Sequence, residues 1–237
     1  MSCTRAFARV AICALATAAC CRHVHAADGP PTAQHDCTFA DFAPEIAGQL
    51  RAATVKDDAG ARVYFSKSEG DCPGGAKACR DKRYLVAGDQ VALTKRLRGF
   101  ACAWYERKNV NEYIVGWLPT KALDEIEAPA SPPSSAWIRE WSRFVALGNQ
   151  ATLTISADAG GDSLHIVGEA LWLSSASASG PHTGEFDGVG KPRGNHLSVK
   201  DNDGECVLDL FLLDDNVLFV QSHGICGGMN VRFDGLY

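Results

Sequence analysis

The side chains able to do chemistry here are ten cysteines and seven histidines among 28 carboxylates, and spacing decides what that chemistry is. Cys206 and Cys226 flank a segment that reads as a hairpin with Asp215-Asn216 at its turn. In that register position 206 opposes position 225. A bulge at Gly224 would correct the offset, so a Cys206–Cys226 disulfide is predicted. Cys37, Cys72, Cys79 and Cys102 then allow three connectivities, of which we choose Cys72–Cys79 with Cys37–Cys102. Each bridge should add about 2–4 kcal/mol. Zinc is a poor use for this set, because Cys-x6-Cys without a nearby histidine lacks the spacing of a structural zinc site.

Other reactive constellations are missing from the sequence. It contains no His-Glu-x-x-His helix, no Gly-x-Ser-x-Gly elbow and no phosphate-cradling loop ending in Lys-Ser/Thr. Gly188-Val-Gly-Lys191 lacks both the length and the hydroxyl for such a loop. Asp201-Asn-Asp-Gly-Glu205 echoes part of a calcium loop, but the first EF-hand ligand would fall on Val199, so a hairpin turn is expected. His165 and His196, on predicted strands, could converge on a metal ion, yet nothing fixes their spacing. Isolated polar or partly buried positions are the simpler reading for them and for His35, His182 and His223. Thirteen acids after residue 127 offer many carboxylate pairs, and none is singled out for glycoside cleavage. No enzyme, metal or cofactor is expected.

Short alternating runs punctuated by Gly, Asn and Asp dominate the chain, and long amphipathic helices are absent, which predicts an all-β fold. Composition shifts at Ala128-Pro-Ala-Ser-Pro-Pro-Ser-Ser135, a semi-extended linker over 128–136 that divides a domain at 37–127 from one at 137–237. Strands are predicted in the first at 61–66, 82–86, 90–97, 100–106 and 113–118. Eight more are predicted in the second, at 137–146, 151–156, 163–173, 182–188, 195–200, 205–213, 217–222 and 230–236. Their tight connections suggest an antiparallel meander closing into an eight-stranded barrel, with a two-sheet sandwich as the competing architecture.

Residues 1–26 read as a signal peptide. Arg5 and Arg9 precede an apolar run at 10–19, and Val24-His-Ala26 supplies a small-residue cleavage pattern. Its removal takes four cysteines and three arginines but no acid, leaving 211 residues, six cysteines and a net charge of −8. Export to the periplasm or beyond makes disulfides the default use of those six. Lipidation at Cys20 or Cys21 is the alternative and the only expected route to a membrane. Charge is uneven. Residues 77–108 carry nine Lys/Arg against three acids, whereas residues 128–237 carry six against thirteen. A solvated face explains the basic run, and an exported acidic chain is not expected to bind nucleic acid.

Tyr84-Leu-Val-x-Gly-Asp-x-Val91, Gly-Phe-x-Cys-x-Trp-Tyr105 and Val-Gly-Trp-Leu-Pro119 with a trailing Leu123 resemble a bacterial SH3-like domain over residues 62–126. The resemblance implies a small barrel that binds cell-wall peptide or envelope protein through aromatics at one end. Tyr64, Trp104, Tyr105 and Tyr113 are the candidates, with Trp117 assigned to the core. Cys226-Gly-Gly-Met-Asn-Val-Arg-Phe-Asp-Gly-Leu-Tyr237 with His182-Thr-Gly-Glu-Phe186 resembles a C-terminal module of uncharacterised exported bacterial proteins. Related small barrels include periplasmic lysozyme inhibitors, whose Ser-Gly-x-x-Tyr loop enters the enzyme cleft; Ser179-Gly-Pro-His182 lacks the tyrosine. The expectation is a non-catalytic envelope binding protein, with inhibition of a cell-wall hydrolase as the alternative.

Overall fold

The computed structural model describes residues 35–43, 49–107, 113–143, 150–173 and 180–237. The expected signal segment, with Cys20 and Cys21, lies outside them, as does Ser179. The fold is all-β, and every pairing between strands is antiparallel. Among the described residues no helix is long and apolar enough to cross a membrane.

A seven-stranded sheet comprises β1 (Arg51–Val55), β2 (Val63–Ser66), β3 (Arg80–Leu85), β4 (Gln90–Leu97), β5 (Phe100–Glu106), β6 (Tyr113–Pro119) and β7 (Leu123–Ile126). Its spatial order is β3-β2-β6-β5-β4-β1-β7. The β4–β5 hairpin turns on Arg98-Gly99, both at positive φ, a two-residue turn whose twist suits the flanking strands. β1 and β7 have no counterpart among the predicted strands. β1 is Arg-Ala-Ala-Thr-Val, and Ala52 and Ala53 are buried in different clusters. A strand covered on both faces has no polar alternation to reveal it.

Past the linker lie β8 (Arg139–Arg143), β9 (Ala151–Ala157), β10 (Leu164–Trp172), β11 (His182–Gly190), β12 (His196–Lys200), β13 (Cys206–Asp214), β14 (Val217–Gly224) and β15 (Gly235–Leu236). Among the described residues these eight strands form two four-stranded sheets, β11-β10-β9-β8 and β12-β13-β14-β15, rather than the closed barrel expected. The two sheets meet at two corners. At one corner Gly188 and Gly190 of β11 press against β12 so closely that a Cβ on Gly188 would lie 2.6 Å from the Lys200 carbonyl oxygen. At the other, the segment before the two-residue β15 accepts hydrogen bonds from Arg143 of β8 on its Arg232 and Asp234 carbonyls.

The three disulfides are Cys37–Cys102, Cys72–Cys79 and Cys206–Cys226, the pairs chosen from the sequence. Three such bridges are the usage of an oxidising, extracellular or periplasmic compartment. The hairpin bulge, however, sits at Leu213 beside the turn, so Cys206 faces Gly224. Gly224 takes a φ of 83° there, where any Cβ would run into the Glu205 carbonyl. That turn delivers Cys226 to its partner.

Three apolar clusters fill the molecule. One lies inside the seven-stranded sheet around Phe65, Leu85 and Leu93, and another between the two four-stranded sheets around Trp137, Ile166 and Leu210. The third joins the two parts: Phe42, Trp104 and Trp117 pack with Phe211, Leu213 and Phe219 from β13 and β14. At its margin Arg143, buried, donates to the carbonyls of Asp234 (2.5 Å) and Arg232 (3.1 Å) and stands 3.7 Å from Glu106. Glu106 also accepts the Trp104 indole N–H at 3.0 Å.

Burial pushes the Glu106 carboxyl above its ordinary range, although Arg143 and the Trp104 N–H pull the other way. A carboxyl raised in the folded state favours folding in its neutral form. That contribution is complete below the ordinary carboxyl pKa and lost as pH climbs through the folded value. Glu106→Gln should therefore be at least as stable as the parent at pH 7, with the gap closing as pH falls toward about 4. Urea unfolding midpoints at the two pH values check this. Replacing Cys206 and Cys226 together by Ala should lower unfolding free energy by about 2–4 kcal/mol in the same assay.

Candidate ligand-binding surface

The four aromatics expected to gather at one end divide into two pairs. Trp104 has no exposed surface: Tyr113 stacks on it at 4.4 Å and 15°, and Phe42 and Phe219 meet it edge-on at 5.5 and 5.3 Å. Its place on β5 turns it toward the shared cluster, so it serves the core and not a surface. Tyr113, half-buried, carries Arg232 over its ring at 4.7 Å and belongs to the same junction. Trp117 is buried as expected, its indole N–H donating to the His35 carbonyl at 2.8 Å.

Tyr64 and Tyr105 lie elsewhere, and the residue that connects them is Tyr84. Strands β2 and β3 put Tyr64 directly opposite Tyr84, with ring centroids 5.6 Å apart. Val63, Phe65 and Leu85, their neighbours in sequence, face the core, so the pleat turns both tyrosines outward. Arg80 lies over the Tyr64 ring at 3.3 Å and Arg62 over Tyr84 at 4.4 Å. A hydrogen bond from Arg62 holds the Tyr64 phenol below its usual range. Tyr84 remains 41% exposed.

On the other side of Tyr84 an open cleft of about 550 Å³ runs to Tyr105. Among the described residues Lys82, Arg83 and Arg107 line it together with one carboxylate, Asp89. Tyr105 donates its hydroxyl to Asp89 at 3.1 Å. Its phenol is pushed up to about 12, first by burial and then by the Asp89 charge. Arg83 grips Asp81 with two side-chain N–H groups at 2.9 and 2.5 Å. Burial opposes ionisation of Asp81, but those bonds outweigh it and hold the carboxyl below its usual range. The arginine head is thereby fixed in position.

The result is a run of tyrosine and guanidinium faces along an edge strand, with cations in excess. Charged residues on an edge also discourage sheet-to-sheet aggregation. Protection alone does not require the rings, and cation–π stacking pre-orders them against a low entropy cost on binding. In sequence, the basic run at 77–108 reads as a solvated face and Tyr84 stands only within the SH3-like motif, so neither singles out this surface. Only strand pairing joined them to Tyr64 and Tyr105.

The histidines form separate pairs. His165 meets Asp187 at 2.9 Å, whereas His196 and His223 meet Asp209 at 2.8 and 3.5 Å. His165 and His196 thus belong to different sheets and carboxylates. Among the described residues no group of three His, Cys, Asp or Glu is arranged to hold a metal ion.

Tyr105→Phe should remove a phenol whose ionisation is delayed to about pH 12, leaving Tyr64, the still later Tyr237 and the remaining titration unchanged. Phenolate absorbance measured against pH reads this directly, and the loss of the Asp89 bond should cost about 1 kcal/mol in unfolding.

No protein-family model, curated protein or solved structure matches this chain, and a role for the surface rests on its own chemistry.

Proposed function

We propose that this chain is a non-catalytic, exported binding protein of the bacterial envelope, and that its SH3-like part recognises cell-wall peptide through Tyr64, Tyr84 and Tyr105. The observation that carries the reading is the cationic, tyrosine-lined cleft on β3 and β5. Stem peptides of the wall bear free carboxylates on an extended backbone. Arginine forks suit the carboxylates, and flat aromatic faces suit the intervening chain. The cleft is open along one side, which fits a segment of polymer better than an enclosed small molecule. Three disulfides agree with an envelope or extracellular setting.

The test is co-sedimentation of the purified disulfide-bonded protein with intact peptidoglycan, followed by calorimetry with soluble peptide fragments. Tyr84→Ala and the double variant Lys82→Glu, Arg83→Glu are each expected to weaken binding at least tenfold with folding retained. Binding should also decline as salt is raised, because the cations are exposed. Undiminished binding by both variants, or no binding by the parent, overturns the assignment.

A further inference from the structure

We propose that the cleft between the β11–β12 connection and the outer face of β12 is a second, independent binding site, and that it takes a phosphate-type oxyanion. Its volume is about 500 Å³, and Lys191, Arg193, His196 and Ser198 line it with Pro192. Among the described residues no carboxylate is in the lining.

The site is built rather than incidental. Residues 193–196 close a tight turn, with the Arg193 N–H donating to the His196 carbonyl at 2.7 Å and the reverse bond at 3.3 Å. Gly194 occupies that turn at a φ of 63°, and a Cβ there would lie 2.9 Å from the Ala130 carbonyl oxygen in the linker. The turn is thus pressed against the linker and sets the Arg193 and His196 side chains at one end of the cleft. His196 is held on two sides. Its ring stacks on Phe211 at 4.6 Å and 9°, and its Nε2 lies 2.8 Å from Asp209.

Asp209 is only 5% exposed. Burial opposes its ionisation, but hydrogen bonds from His196 and Ser198 and the nearby His223 outweigh that and keep the carboxyl below its usual range. An ionised Asp209 accepts only, so Nε2 of His196 carries the proton. Nδ1 of that ring is then the atom left for a ligand, and a second proton there makes it a donor.

Arg193 makes no side-chain hydrogen bond or ion pair among the described residues. Lys191 is paired to Asp162 at 3.1 Å, but both side chains are largely exposed, 65% and 83%, so the pair is weak and can yield. The Arg193 guanidinium fork and the Lys191 ammonium supply the donors for a ligand, since the Ser198 hydroxyl and the His196 Nε2–H are both given to Asp209; a second proton at Nδ1 of His196 adds one more. A tetrahedral oxyanion offers acceptors in matching directions, whereas a lone carboxylate uses two. The surroundings sharpen the argument. Residues 128–237 hold only six Lys/Arg against thirteen acids, and two of the six line this cleft. An acidic field repels anions in general, so retention here must come from short-range, directed bonds.

Phosphate could arrive free or as a phosphodiester of an envelope polymer. The experiment is a titration of the oxidised full-length protein with inorganic phosphate, and separately with a glycerol phosphodiester, at constant ionic strength. Shifts of the His196 ring and the Arg193 side chain are read by NMR, and acetate is the control. Saturable shifts with phosphate, weakened at least tenfold in Arg193→Gln and unchanged in Tyr84→Ala, support the site. Saturation with the diester as well assigns a polymer-borne group; saturation with inorganic phosphate alone assigns the free ion. Linear shifts, equal shifts with acetate, or an unaffected Arg193→Gln overturn it. The Tyr84→Ala arm separates this outcome from failure of the peptide cleft.

Discussion

The β13–β14 hairpin is buried on both faces, and the rest of the molecule is arranged around that constraint. Leu208, Leu210, Leu212, Leu218 and Val220 fill the space between the two small sheets. Phe211, Leu213, Val217 and Phe219 point the opposite way, onto Phe42, Trp104 and Trp117. Burying each large side chain is worth about 1.5–3 kcal/mol, and edge-on aromatic pairs such as Trp104 with Phe219 add about 0.5–1.5 kcal/mol beyond area. Separating the first sheet from the hairpin would expose all of these at once. The Pro/Ser segment is therefore the covalent connection between the parts, while their cohesion comes from shared aromatics. Cys37–Cys102 pins the N-terminal segment onto the same cluster.

Polar groups at the rim of that cluster set the path of the C-terminal segment. Arg143 spends its donors on the carbonyls of residues 232 and 234, and Asp234 in turn accepts from the Ser222 backbone and hydroxyl at 2.7 and 3.0 Å. Gly235 passes Arg143 and Glu106 so closely that a Cβ would meet Arg143 Cδ at 2.7 Å. These contacts tie the C-terminal segment of one small sheet to β8 of the other.

The same junction determined which aromatics remain available to a ligand. Trp104 and Tyr113 are consumed by it, so the tyrosines left to a ligand are Tyr84, exposed, with the half-buried Tyr64 beside it and Tyr105 at the cleft. Arginines stacked on Tyr64 and Tyr84 keep these outward rings ordered without burying them. Across the molecule, the turn at 193–196 does comparable work for His196, with Asp209 as the buried anchor.

The all-β class and most strands were legible in the sequence, because each depends on local information; the three cysteine pairs match those chosen, although Cys37–Cys102 spans 65 residues and carries no local signal. The bounds expected for β4 and β5 are identical to those observed, and turn residues bounded the hairpin that joins Cys206 to Cys226. β1 was not legible, since a strand covered on both sides carries no alternation. Nor was the role of Trp104: its position on β5 told which residues share its face, but not that a second sheet would cover that face. Tyr84 acquired its place beside Tyr64 only through the β2–β3 register. Residue type and spacing determined what each segment is by itself. Tertiary structure decided which surfaces were used up and which were left, because burial is a property of what the rest of the chain brings against a face.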